Sequence, residues 1–114
     1  MKKAYRVKKN DEIETIIRHG DKVRSPYFSC YKKPNEAIGH FRFAVSTPKA
    51  CGKAHARNRL KRRVRAIVRE ADIREDYDIF VIVNKKAADI DFQTMRADLM
   101  KLLEKHQLTG VKVC

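Results

Sequence analysis

Thirteen residues at the centre of the chain, Lys53-Ala54-His55-Ala56-Arg57-Asn58-Arg59-Leu60-Lys61-Arg62-Arg63-Val64-Arg65, carry seven cationic side chains. From Ala37 to Arg69 there are ten Lys or Arg and no carboxylate, although the 114 residues as a whole hold 14 Asp and Glu against 27 Lys and Arg. Uncompensated charge at this density repels itself and calls for a polyanion, and nucleic acid is the partner whose chemistry fits. Arg outnumbers Lys in the block, which favours bidentate phosphate contacts and stacking over diffuse charge. Asn58, set among the arginines, adds a donor and an acceptor suited to a sugar hydroxyl or a base edge.

Residues for protein-based catalysis are not grouped in the same way. His19, His40, His55 and His106 are scattered, with no paired-histidine or mixed Cys spacing for a metal. His55 beside the basic block reads as a neutral RNA-facing side chain rather than a general base. Asp72, Glu75, Asp76 and Asp78 are carboxylates of the kind a two-metal nuclease uses, but they read more simply as a solvated turn balancing the charge before them. Gly52 stands alone, so no glycine-rich phosphate loop is present; it permits a turn into the basic segment. Cys30, Cys51 and Cys114 are odd in number and lack C-x-x-C spacing, which points to a reducing cytosol rather than a disulfide framework.

These side chains need elements to position them. At about 100° per residue, Leu60, Val64, Ile67 and Ala71 fall on one stripe with Val68 beside it, so a long helix from Ala54 to Ala71 is expected to bury that face. Lys61, Arg65, Asn58, Arg69 and Arg62 are then expected to point outward, with Arg57, Arg59 and Arg63 flanking the seam. Arg57–Lys61, Lys61–Arg65 and Arg65–Arg69 are like-charge pairs at i,i+4, each costing a few tenths of a kcal/mol. A merely solvated helix face mixes its signs instead.

An earlier helix is expected from Asn10 or Asp11, with Asp11 and Glu14 as a capping box and Ile13, Ile16 and Ile17 on its apolar face. Gly20 reads as its left-handed stop. Tyr27–Lys32 alternates as a strand, with Phe28 and Cys30 facing away from Tyr31. His40–Ser46 is expected to return as its antiparallel hairpin partner. Tyr77–Val83 is a continuous apolar run fit for a central strand. A last helix runs from about Asp91 to His106 with Phe92, Met95, Leu99, Leu102 and Leu103 inward, closed by Gly110. The order α-β-β-α-β-α describes an α+β fold in one domain spanning residues 1–114, with residues 1–9 as a loosely held basic arm. No secretory signal and no span of about 20 apolar residues occurs, so a cytoplasmic, membrane-free protein is expected.

The run Gly52-Lys53-Ala54-His55-Ala56-Arg57-Asn58-Arg59-Leu60-Lys61-Arg62-Arg63-Val64-Arg65 resembles the Arg-Asn-Arg signature of the protein component of bacterial ribonuclease P. The resemblance extends to the basic N-terminus, His19-Gly20, the strand with Phe28 and Tyr31, Phe43–Ser46 and the apolar strand Ile79–Val83. It implies a left-handed β-α-β crossover around the signature helix, against the general right-handed rule.

The resemblance further implies that the chain is the protein subunit of a ribonucleoprotein endonuclease, with no catalytic side chain of its own. The RNA subunit would cleave the 5′ leader from precursor tRNA using Mg2+, and the protein alone would be a monomer. Lys53, Arg57, Asn58, Arg59, Lys61, Arg62, Arg65 and Arg69 are implied as contacts to the RNA subunit. Ile13, Ile17, Tyr31 and Lys49 are implied as the cleft that takes the leader. The family commonly has Phe where Ile13 and Ile17 stand here, and aliphatic side chains lack the stacking of an aromatic platform. Phe28 is left to packing. The alternative is a ribosomal or other structured-RNA-binding protein without a nuclease role.

Overall fold

A computed structural model describes residues 7, 10–35, 40–71, 73, 77–106 and 108. Helix α1 (Asn10–His19) is followed by strands β1 (Asp21–Arg24), β2 (Phe28–Pro34) and β3 (Arg42–Ser46). Helix α2 (Ala54–Glu70), strand β4 (Tyr77–Val83) and helix α3 (Phe92–Lys105) complete the order. Short 3-10 turns at Lys49–Cys51 and Lys85–Asp89 introduce α2 and α3. The order is therefore α-β-β-β-α-β-α, with one strand more than expected. Strand β1 has a single apolar residue, Val23, and too little alternation to be read from sequence.

The four strands form one sheet in the order β1-β2-β4-β3. The expected hairpin between the second and third strands does not form. Strand β4 lies between them, antiparallel to β2 (Phe28↔Val83 to Pro34↔Tyr77) and parallel to β3 (Arg42↔Asp78 to Ser46↔Ile82). The physical reason lies in β4 itself. Asp78 through Val81 and Val83 are all buried, so this strand needs packing on both faces and takes a central place. Helix α2 is the crossover that joins the parallel pair β3 and β4.

Helices α2 and α3 cover one face of the sheet. Phe28, Cys30, Phe43, Ile79 and Val81 pack there against Leu60, Val64, Ile67 and Val68 of α2 and Met95, Leu99, Leu102 and Leu103 of α3. Phe28 is fully buried in this cluster, as its face on the strand predicts. Cys30 is buried too, and desolvation pushes its thiol up to about 12, so it is packing material rather than a nucleophile. Helix α1 covers the opposite face over β2 and β4. There Val7, Ile16 and Phe80 form a smaller cluster, bordered by Ile13, Tyr31, Ala44 and Ile82. The arm is not wholly loose: Val7 is buried, and its N–H donates to the Phe43 carbonyl at 3.0 Å.

Local chemistry at the helix ends departs from expectation in two places. The Asp11/Glu14 capping box is not formed: Asp11 lies inside α1 and accepts from the N–H of Glu12, while Glu14 pairs with Arg18. Gly20 does not adopt a left-handed backbone; Gly52 is the positive-φ glycine among the described residues. Gly20 is required by close approach, since a Cβ would sit 2.4 Å from the Ile16 carbonyl oxygen and 2.5 Å from that of Lys32. Helix α3 has the expected start, with the Asp91 side chain accepting from the Thr94 N–H at 2.8 Å. Its end is held by Lys32, whose buried ammonium donates to the His106 carbonyl at 2.7 Å and lies 4.9 Å from the Tyr77 ring centroid. A cation at a helix C-terminus complements the dipole. Gly110, the expected end signal, lies outside the described residues.

Asp78 corrects the expected solvated acidic turn. Its carboxylate is buried and accepts two bonds from Arg42, at 2.9 and 2.7 Å, and one from Asn35 Nδ2 at 2.8 Å. Arg42 also meets Glu12 of α1 at 2.9 Å. Those bonds, led by Asp78, hold the guanidinium well above its ordinary pKa. The pair thus ties α1 to the centre of the sheet. Asp72, Glu75 and Asp76 lie outside the described residues.

Candidate nucleic-acid interface

The basic helix is seated by its aliphatic stripe. Leu60, Val64, Ile67 and Val68 are buried, and Ala71 caps the C-terminus half-buried. This forces the opposite arc outward, where Asn58, Arg62 and Arg69 are exposed together with Arg59. Lys61 and Arg65, expected on that arc, stand on its shoulder and are half-buried, as are Arg57 and Arg63. Their long stems can cover apolar surface beside the seam. Arg59, expected at the seam, is exposed instead.

The N-terminus of α2 sharpens the electrostatics. Lys53 occupies the cap position without a side-chain cap bond, and no acidic residue lies in the first turn. Cations at Lys53 and Arg57 sit at the positive end of the helix dipole, the unfavourable end for them. Free N–H groups and the dipole at that end suit an anion. Arg57 is half-buried, and its Nε is buried without a hydrogen-bond partner. Lys49 is exposed on the 3-10 turn just before α2, beside this end of the helix. The structure therefore groups Lys49 with Lys53 at the helix entry rather than in the apolar cluster under α1.

The second candidate surface lies on the α1 side of the sheet. Ile13 and Tyr31 border the Ile16–Phe80 cluster half-buried, and Ile17 is the exposed large apolar residue among the described residues, at 40%. The Tyr31 ring is 6.2 Å from that of Phe80. Strand register places Lys22 opposite Tyr31, with the ammonium 5.3 Å from the ring centroid. Ile13 and Tyr31 thus border one apolar cluster with a cation at its edge, and Ile17 stands exposed on the same helix as Ile13. Lys22 was not legible as a site residue, because its strand carries no periodic signal. Arg42, which holds α1 in place beside this cluster, also emerges only from the fold.

No group of three or more His, Cys, Asp or Glu is gathered in metal-ligating range among the described residues. No described helix is long and apolar enough to cross a membrane.

Comparison with known proteins points to one family throughout. The Ribonuclease P family model matches residues 1–107. The ribonuclease P protein component of Listeria welshimeri is 35% identical over 106 residues, covering 91% of this chain and 89% of the relative. That of Bacillus cereus strain AH187 is 30% identical over 114 residues, covering 98% and 99%. The solved RNase P protein of Staphylococcus aureus superposes with a TM-score of 0.87 at 33% identity, over 95% of this chain and all of that one (100%). The protein from Thermotoga maritima gives 0.80 at 31% identity, over 88% and 96%. None of these relatives is a ribosomal protein.

Proposed function

The chain belongs to the ribonuclease P protein family and is a tRNA-processing subunit, and from that premise we propose how its two faces divide the work. The outward face of α2 docks on the catalytic RNA subunit through Arg59, Arg62 and Arg69, with Asn58 reading a hydroxyl or base edge. Lys53 and Arg57 add contacts at the helix entry, and Lys61 and Arg65 reach phosphates from the shoulder. Ile13, Ile17 and Tyr31 take the 5′ leader of precursor tRNA, and Lys49, at the entry of α2, adds a cation for its phosphates.

One observation carries this division. A helix clamped by four buried aliphatic residues presents an arc of exposed arginines with no ion pair to Arg59, Arg62 or Arg69 among the described residues. Each like-charge neighbour destabilises the free helix slightly, and phosphate oxygens offset that cost on binding.

Cleavage is assigned to the RNA subunit and its Mg2+, which supplies the metal-ion activation of water and leaving group. In this division of labour the chain contributes binding and orientation. The test is reconstitution. The purified chain should restore 5′ processing of precursor tRNA to a bacterial ribonuclease P RNA at low magnesium, and cut nothing alone. Cleavage by the protein without RNA would overturn the assignment.

A further inference from the structure

Cations outside the signature helix converge at the far edge of the sheet. Arg24 at the end of β1 and Lys101 and Lys105 of α3, all exposed, line one groove of about 230 Å3. Ser25 and Asp98 form its wall, where the Ser25 hydroxyl donates to Asp98 Oδ2 at 2.6 Å. None of the three cations has an ion-pair partner among the described residues. Lys101 and Lys105 are a like-charge i,i+4 pair, the same costly spacing seen on α2. A shallower depression shares the Asp98 and Lys101 wall and adds Tyr27, Gln93 and Thr94. Tyr27 is half-buried, packed against the core while lining this depression.

This edge is physically continuous with the leader cleft. Lys22 lies over Tyr31, and Arg24, two residues on in the same strand, faces the same side of the sheet about 7 Å away. Strand β1 is an edge strand of the sheet, and Arg24 also lines the groove with Lys101 and Lys105 of α3, so it stands at the edge where the α1 face and the α3 face meet. Resting on the cleft assignment above, we propose that the groove of Arg24, Lys101 and Lys105 is a second RNA site. It takes the sugar–phosphate backbone of leader nucleotides upstream of those in the cleft, with Lys22 as the intermediate contact.

A cationic groove beside an aromatic ring is the combination that holds single strands without reading sequence. Duplex RNA is the poorer fit, because it would present no unstacked base to Tyr27 or Tyr31. Lys22 plays two parts. Over the half-buried ring its ammonium contributes about 0.5–1 kcal/mol, while a stacked base contributes about 1–3 kcal/mol. An arriving base therefore displaces the ammonium, which is then free to meet the adjoining phosphate.

The test uses holoenzyme reconstituted with the RNA subunit and three substrates: leaderless tRNA, precursor with a leader ending inside the cleft, and precursor with a leader several nucleotides longer. Arg24→Gln/Lys101→Gln/Lys105→Gln should lower affinity for the long leader about tenfold and make its log-affinity against log-salt slope shallower by about 2. The other two substrates should bind as before. Equal losses on all three would show that the groove faces the RNA subunit or the tRNA body, and no loss would show that it is no site; either overturns the proposal. Tyr31→Ala should weaken both leader-bearing substrates. If it weakens neither, the cleft assignment fails and the groove loses its role as a continuation. If Tyr31→Ala acts and the triple variant does not, the cleft stands and the groove alone is refuted. The three positions are exposed, so a melting transition matching the parent is expected and checks that the fold is intact.

Discussion

Replacing Asp78 by Asn removes one charge from the start of β4 while keeping the side chain's shape. It tests whether the Arg42–Asp78 pair is what holds α1 over the sheet. Asp78 is 5% exposed, and three donors converge on it within 2.9 Å. An asparagine accepts at one atom only, and its amide nitrogen would confront a donor of Arg42 or Asn35. At least one charge-assisted bond is lost, about 1.5–3 kcal/mol, and a buried donor is left facing a donor. Arg42 keeps Glu12 at 2.9 Å, so the guanidinium is not stranded and part of the loss is offset. The net destabilisation is about 2–4 kcal/mol. For a chain of 114 residues the unfolding entropy is about 0.24 kcal/mol/K, so each kcal/mol lowers Tm by about 4 °C. Circular-dichroism melts should place Asp78→Asn about 8–16 °C below the parent. Because α2 is anchored in the other cluster, affinity for the RNA subunit should hold at temperatures where the variant is folded, while the gain from a leader declines. A drop below about 3 °C, or losses for Asp78→Asn and Arg42→Gln that merely add in the double variant, would refute a coupled tether.

Other perturbations separate packing from binding. Gly20→Ala drives a Cβ into two carbonyl oxygens and should cost about 1–3 kcal/mol in urea unfolding; an unchanged midpoint would dispose of the close-approach explanation. Arg62→Gln/Arg69→Gln removes two exposed cations and should make the salt dependence of RNA-subunit binding shallower by about 1.4–1.8 without moving Tm. A lowered Tm there would assign these residues a structural role. Burial, first, and then nearby Lys32 hold the His106 imidazole below its ordinary 6.5, while the Asp21 carbonyl and carboxylate oppose them. With the folded value depressed, the unfolded chain binds the proton first, so stability is full above 6.5 and is lost as pH falls toward the folded value. His106→Gln should flatten that loss between neutral and mildly acidic pH, and equal pH dependence in both proteins would count against it.

The sequence alone determined whatever depends on periodicity and on charge along the chain. The aliphatic stripe Leu60–Val64–Ile67–Val68 dictates which side of α2 is buried, because a helix turns every residue by a constant angle. The same regularity placed Phe28 and Tyr31 on opposite faces of β2, and the unbroken apolar run marked β4 as central. The polyanion partner followed from ten cations without a carboxylate between Ala37 and Arg69. Strand order was not determined in this way. Turn chemistry between β2 and β3 suggested a hairpin, yet both strands pair with β4 instead of with each other, and its burial on two faces outweighs proximity in the chain. Long-range pairing also decided everything that joins distant residues: Asp78 as the tether of α1 through Arg42, Gly20 pressed against the Lys32 carbonyl, Lys22 over Tyr31. Such contacts span from 9 to 36 positions in sequence and leave no local pattern. Helical and strand periods record how a segment faces its surroundings; only the tertiary structure decides which segment those surroundings are.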